Sequence, residues 1–258
     1  MDETPLQLDR IAAESGVASL EFQPQAVSTN DWALQLAVDD ARSWPLLVLT
    51  QQQIGGRGRG ANRWWSAAGA LTFSLVIDPL AWHIPIERWP QIALIAGLAI
   101  CECLQEVYPP GVFGLKWPND VYLNGRKVAG ILVEAPSQRS RIIVGVGVNV
   151  NNSFSAAPPD VRERATSLAD TADGEFDLTE TLIAIVQRMN RRLASFDAAS
   201  LASGFDRYCL LRGHNVQIEA SREMIVGRCA GIDADGALRI HTPGGDRRVH
   251  AGTVIAWE

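Results

Sequence analysis

The segment Gln53-Ile54-Gly55-Gly56-Arg57-Gly58-Arg59-Gly60 joins four glycines to two arginines directly after a short apolar run. Glycine frees φ and lets a backbone approach a ligand closely. Arginine adds a fixed positive charge with a planar fork of donors. The pair suits an anion, most naturally a phosphate or an adenylate. No Gly-Lys-Ser/Thr closes the loop, so it is not a Walker A motif, and no helical pattern follows that would make a dinucleotide fingerprint. A flexible surface loop is the bland alternative. A second group is Lys116-Trp117-Pro118-Asn119-Asp120, with Lys127 seven residues beyond Asp120. Asn119 can hydrogen-bond a nucleotide, and Asp120 can hold a magnesium ion between phosphates. The same residues suit a plain β-turn. Lys127 opens a strand, where a lysine is either solvated or, opposite a phosphate, a point charge that steadies a transition state. Ser28-Thr29-Asn30-Asp31 is a third polar cluster, placed to cap a helix.

These groups need elements to hold them. Leu8 to Ala13 reads as a short helix and Leu20 to Phe22 as a strand. A capped helix starts at Ser28 and is broken by Pro45. Leu46 to Thr50 and Leu71 to Ile77 are short apolar runs of the buried-strand type. Gln91 to Val107 is a long apolar helix ended by Tyr108-Pro109-Pro110-Gly111. Val121 to Leu123 and Lys127 to Glu134 flank Asn124-Gly125, a strong hairpin signal. Arg141 to Val150 is a further strand, and residues 151–165 read as an exposed loop. Leu178 to Phe196 and Leu201 to Leu211 are helical. After Gly213 five short strands follow: Val216–Ala220, Ile225–Ile232, Leu238–His241, Arg247–His250 and Val254–Trp257. A domain boundary falls near Leu211, giving residues 1–211 and 212–258.

Composition limits the classes. The chain has 258 residues, 47% hydrophobic and 20% charged, enough for one large domain and one small one. Its net charge is −6, from 23 basic and 29 acidic residues, which argues against DNA as a main partner. Cys101, Cys103, Cys209 and Cys229 form no C-x-x-C pair, which argues against zinc and for reduced thiols in the cytoplasm. The start, Met1-Asp2-Glu3-Thr4-Pro5, has no signal-peptide pattern. Ile92 to Leu104 is too short for a membrane span and carries Glu102.

Taken in order, the motifs are specific. Ser28-Thr29-Asn30, Gln53-x-x-Gly56-Arg57-Gly58-Arg59, Trp64, Lys116 to Asp120, Arg126 to Glu134, Gly145-x-Gly147-x-Asn149 and Ala165-Thr166-Ser167-Leu168 resemble the biotin–protein ligase family in order and spacing. Gly227-x-x-x-Gly231-Ile232-Asp233 and Asp235-Gly236-Ala237-Leu238 resemble, more loosely, that family's small terminal barrel. The resemblance implies an α+β fold: a central mixed β-sheet with packed helices, then a small C-terminal SH3-like β-barrel. It implies ATP and Mg2+, with biotin as substrate. Biotin's carboxylate attacks the α-phosphate of ATP, and the biotinyl-5′-AMP formed passes biotin to a lysine of a biotin carboxyl carrier domain of a biotin-dependent carboxylase.

Roles carry over by position. Ser28, Thr29 and Asn30 would bind the ureido ring, though the same residues can simply cap the helix. Gln53, Arg57, Gly58 and Arg59 match biotin and adenylate contacts. Lys127, the main catalytic candidate with Arg59, would lie at the biotin carboxylate and α-phosphate. Gly130, Ile131 and Leu132 would pack along the valeryl chain. Lys116, Asn119, Asp120 and Asn149 would face ATP, with Asp120 on the metal, and Trp64 and Trp65 could wall the pocket. The chain departs from many bacterial members after Arg59: it reads Gly60-Ala61-Asn62, so a second arginine pair is missing, and Arg63 is a possible stand-in. The 27 residues before Ser28 cannot hold a winged helix, so no repressor function is expected. The nearest alternative is a lipoate or octanoate ligase or transferase of the same fold. A homodimer and a monomer both stay open.

Overall fold

The computed structural model describes residues 6–136, 141–195, 197–221 and 223–258. The expected start at Met1 to Pro5 and the helix end at Phe196 lie outside these residues. Among the described residues, β1 (Ser19–Ala26), β2 (Leu46–Gln53), β3 (Ala70–Ile77), β4 (Phe113–Lys116), β5 (Asp120–Leu123), β6 (Arg126–Glu134) and β7 (Ile142–Asn149) form one sheet. Its order is β1-β2-β3-β7-β6-β5-β4. β1 and β2 run parallel and the other neighbours antiparallel, so the expected mixed sheet is present. Helices α1 (Leu8–Glu14), α2 (Thr29–Leu36), α3 (Ile92–Val107), α4 (Pro159–Arg164), α5 (Leu168–Ala172), α6 (Leu178–Ala194) and α7 (Ala198–Tyr208) accompany it.

Local chemistry accounts for most of these elements. Ser28 has extended backbone angles, and its hydroxyl accepts from the Asp31 N–H, starting α2. That helix is the crossover that parallel pairing of β1 and β2 requires. Asn124 and Gly125 both have positive φ (49° and 81°), the geometry of a tight β5–β6 hairpin. α3 is apolar all round because the sheet and α6 enclose it, and eleven of its residues are buried. Glu102 on this helix is met by Arg192 Nε at 2.7 Å and by Arg188. Burial pushes its carboxyl up, but the hydrogen bonds and charges of the two arginines outweigh this and leave it below the usual glutamate range.

Three expectations need correction. The run Ile86–Val107 is continuous helix, with a 3-10 turn leading into α3, and does reach the length and composition of a membrane span. Most of it is packed inside the molecule, as a core helix is. Residues 151–165 are not a plain loop. Pro159 occupies the first turn of α4, where its missing N–H costs nothing. Phe154, Ala157 and Ala165 form a small buried cluster against Trp65 and Val161. Finally, β8 (Asn215–Ala220), β9 (Glu223–Ile232), β10 (Leu238–Thr242), β11 (Gly245–Val249) and β12 (Thr253–Trp257) form an open sheet, ordered β11-β10-β9-β8-β12. Among the described residues the end strands β11 and β12 share no ladder, so the expected SH3-like barrel is not closed. Four of the five residues of β11 are exposed, and burial does not draw that edge across.

The second sheet is fixed to the first. Trp117 Nε1 donates to Gly236 O at 3.2 Å and Gln91 Nε2 to Ala234 O at 3.1 Å. The Lys116 ammonium lies 4.3 Å from the Trp257 ring centroid. One hydrophobic cluster runs through both sheets, from Leu115 and Trp117 to Val216, Ile218 and Cys229.

Candidate active site

A cleft of about 680 Å³ lies over the sheet, walled by residues 57–65, the β4–β5 turn, α4 and Thr253 to Ile255. The residues given catalytic or binding roles from the sequence line it: Ser28, Thr29, Asn30, Gln53, Arg57, Gly58, Arg59, Lys116, Asn119, Asp120, Lys127, Gly130, Ile131, Leu132 and Asn149.

Its floor is made of strand glycines. Gly145 and Gly147 are two apart on β7 and so share a face. Gly147 pairs with Gly130 on β6. A Cβ on Gly145 would stand 2.0 Å from Asn30 Oδ1, and one on Gly147 would stand 2.3 Å from Trp64 Cε2. Mid-strand glycine weakens a strand and often marks a close approach. Here the approaching groups are the Asn30 amide and the Trp64 indole. On Gly130 a Cβ would meet Lys127 Nζ at 3.2 Å, so the lysine lies along the same floor.

At the Asn30 end the polar groups are bonded to one another. Ser74 Oγ donates to Asn30 Oδ1 at 2.6 Å and lies 2.8 Å from Thr29 Oγ1. Gln53 Oε1 accepts from Thr29 N at 2.7 Å and from Thr29 Oγ1 at 3.2 Å. Asn30 Nδ2 donates to Leu132 O at 3.2 Å and to Glu134 Oε2 at 2.7 Å. Ser28, Thr29 and Asn30 are each only 3% exposed, so these polar groups are pre-set by burial rather than solvated.

The glycine–arginine segment is a small hairpin. Gly58 N donates to Asn62 O at 2.8 Å and Trp64 N to Gly56 O at 3.0 Å, and Gly60 turns the chain with φ 65°. Arg57 is held by both carboxylate oxygens of Glu134, at 2.9 and 2.6 Å, and by Asp31 at 2.7 Å. Arg59 Nη1 instead donates to a neutral group, Gly252 O, at 2.5 Å. Its charge is thus left for an anion, while that of Arg57 is matched.

At the other end Lys127 Nζ meets Asp120 Oδ1 at 2.5 Å. Lys116 pairs with Asp120 across the β4–β5 hairpin. Burial lowers the Lys116 ammonium's pKa; Asp120 opposes this, while Lys127 and Arg164 add to it. Tyr122 beside them is pushed up to about 12 by burial, with Asp120 acting in the same direction. Asn119 Nδ2 donates to Ile131 O at 2.6 Å, and Asn149 Oδ1 accepts from Asn152 Nδ2 at 3.2 Å. Both asparagines line the cleft, yet each is committed to an internal bond.

Several lining or bracing residues were not expected. Glu134 closed a quoted motif but had no assigned part. Ser74 gave no signal beyond a hydroxyl in an apolar strand. Tyr122, Arg164 and Thr253 to Ile255 come from segments read only as hairpin, loop and terminal strand.

A model of the Biotin/lipoate A/B protein ligase family matches residues 24–151, and one of the Biotin protein ligase C terminal domain matches residues 213–257. The chain is 31% identical to the biotin–[acetyl-CoA-carboxylase] ligase of Mycobacterium tuberculosis over 260 residues, covering 99% of this chain and 95% of that protein. The chain belongs to the biotin–protein ligase family. The biotin protein ligase of Aquifex aeolicus in complex with biotin and ATP matches with a TM-score of 0.78 at 28% identity, over 93% of this chain and 99% of that one. The bifunctional ligase/repressor BirA of Bacillus subtilis is 29% identical over 239 residues, 88% of this chain and 70% of that protein.

Within this biotin–protein ligase, Glu134 is a positioning residue, since it ties the Arg57 hairpin to Asn30. Glu134→Ala is expected to destabilise the chain by only about 1 kcal/mol, because the pair is partly exposed. It is expected to free the hairpin more than the fold. Limited trypsinolysis should therefore cut after Arg57, Arg59 or Arg63 well before the rest of the chain. Cleavage at the wild-type rate would show that Glu134 does not hold the hairpin.

Proposed function

We infer that this cleft performs ATP-dependent biotinylation: it makes biotinyl-5′-AMP and passes biotin to a lysine of a biotin carboxyl carrier domain. One observation carries the reading. A buried amide-and-hydroxyl set (Thr29, Asn30 and Ser74) and a cationic set (Arg59, Lys116 and Lys127) flank a single glycine floor, with the Trp64 indole lying over Gly147. The first set suits a neutral ureido ring, which both donates and accepts. The second suits a carboxylate and a polyphosphate.

In this reading Ser28, Thr29, Asn30 and Gln53 hold the ring, and Gly130, Ile131 and Leu132 line the aliphatic chain. Two anions must meet, and each repels the other unless positive charge stands between them. Lys127 and Arg59 supply it at the biotin carboxylate and the α-phosphate, with Arg57 and Gly58 beside them. Lys116, Asn119 and Asn149 face the nucleotide. The carboxylate oxygen bonds to phosphorus as the bond to the β-phosphate breaks and pyrophosphate leaves. A carrier lysine, as the free amine, then attacks the acyl carbon of the mixed anhydride, and AMP leaves. The Arg57–Glu134 brace holds the hairpin over the anhydride, keeping water from it.

Among the described residues no three acidic, histidine or cysteine side chains converge as a metal cage. Magnesium that keeps its waters and the nucleotide's oxygens needs only one or two carboxylates, so Asp120 fits as its protein anchor. Bound there, the ion would neutralise charge on the leaving phosphates. A transferase using a cysteine nucleophile is disfavoured: Cys101 and Cys103 are buried in α3, and burial pushes the Cys103 thiol up to about 12. The free thiols accord with the cytoplasm as the compartment of this reaction. Residues 1–211 carry the chemistry, and residues 212–258 form a second unit that closes one wall.

The test is mass spectrometry of a purified biotin carboxyl carrier domain after incubation with the chain, ATP, magnesium and biotin. The carrier should gain one biotinyl group and none when lipoate replaces biotin. Modification by lipoate but not by biotin would overturn the reading.

A further inference from the structure

In the glycine–arginine hairpin Gly60-Ala61-Asn62 separate Arg59 from Arg63, and the Arg57 charge is matched by Glu134 and Asp31. The hairpin therefore offers Arg59 and Arg63 to a triphosphate. Another element of the same cleft adds to them. Arg164, the last residue of α4, is exposed and lines the cleft. Its position is fixed by backbone. Ala165 bridges to Lys127 in parallel, and Thr166 N donates to Lys127 O at 2.9 Å. Arg126 Nη2 adds a bond to Arg162 O at 2.6 Å on the preceding turn. Buried Phe154 and Ala157, packed with Val161, hold the helix down.

Among the described residues the Arg164 guanidinium has no hydrogen bond or ion pair. It is close enough to Lys116 and Tyr122 for its charge to act on both. Lys116, Lys127 and Arg164 line this end of the cleft together with the carboxylates of Asp120 and Asp160. Three cations against two anions leave an excess of positive charge that an arriving polyanion would match.

We propose that Arg164 is a phosphate-binding residue of the nucleotide subsite, holding the β- and γ-phosphates of ATP and then the departing pyrophosphate. The assignment rests on the reading of ATP as co-substrate. Lys127 and Arg59 attend the α-phosphate, so the charge beyond them belongs to the leaving group. An arginine can take two phosphate oxygens at once, which suits a group that must be held in line while a bond to it breaks.

The experiment measures biotinyl-adenylate formation by the full chain against ATP, against biotin, and against added inorganic pyrophosphate, in wild type, Arg164→Ala and Arg164→Lys. Loss of one charge-assisted bond corresponds to about tenfold or more in affinity. Arg164→Ala should therefore raise KM for ATP and the inhibition constant of pyrophosphate by about tenfold each. KM for biotin should stay within about twofold, because the biotin end is untouched. Arg164→Lys should fall between, keeping the charge without the fork. ATP and pyrophosphate constants both within about twofold of wild type would overturn the inference, as would a biotin KM that rises in step. A wild-type chain that forms no adenylate would overturn the ligase reading itself; an active wild type with an unaffected Arg164→Ala overturns the inference alone.

Discussion

Replacing Lys127 by alanine is expected to slow biotinyl-adenylate formation by about a hundred- to a thousandfold, measured as pyrophosphate release at saturating ATP and biotin. Two effects add. The ammonium that would face both reacting anions is lost. Asp120 loses its partner at 2.5 Å, and its negative charge then bears more fully on the anions that would bind beside it. In the Lys127→Ala background, Asp120→Asn removes the repulsion but also the carboxylate that would anchor magnesium, so it should not recover the rate. Lys127→Arg keeps the charge, but its larger head group must fit beside Gly130, over which the lysine lies so closely that an added Cβ would stand 3.2 Å from its Nζ. Its activity should stay far below wild type. Lys127→Ala at the wild-type rate would sink the role given to this lysine.

What the sequence made legible was local. The cap at Ser28, the Asn124-Gly125 hairpin and the apolar runs of β2 and β3 depend on neighbours a few residues away, and the observed elements lie where those signals put them. The candidate residues came from linked motifs, and one cleft gathers them all. What stayed hidden depends on distant partners. Glu134 looks like the end of an ordinary strand until Arg57, 77 positions earlier, reaches it. Pro158 and Pro159 signal a loop, because nothing local shows that the second begins a helix whose last residue faces the cleft. Closure of the second sheet turns on whether its first and last strands meet across space, which alternation within each strand does not encode. Gly145 and Gly147 were visible as a pattern, but the reason for it lies on other elements.

That reason supports a second large effect. Gly145→Ala is expected to weaken biotin binding by about a hundredfold, read by calorimetric titration, and to destabilise the fold by about 1–3 kcal/mol in denaturant. The new methyl would stand 2.0 Å from Asn30 Oδ1, which β7 cannot yield to because Gly145 is paired on both sides, with Ser74 and with Leu132. Asn30 must move instead, abandoning its bonds to Ser74, Leu132 and Glu134 and with them the geometry of the proposed ureido site. Clash and function then separate in a double-mutant cycle. In an Asn30→Ala background the methyl has room, so Gly145→Ala should add little further loss of stability, although biotin affinity stays low in both. A stability cost of Gly145→Ala that is equally large with and without Asn30 would place the strain in the strand itself. The glycine would then serve the backbone of β7 rather than the group that lies on it.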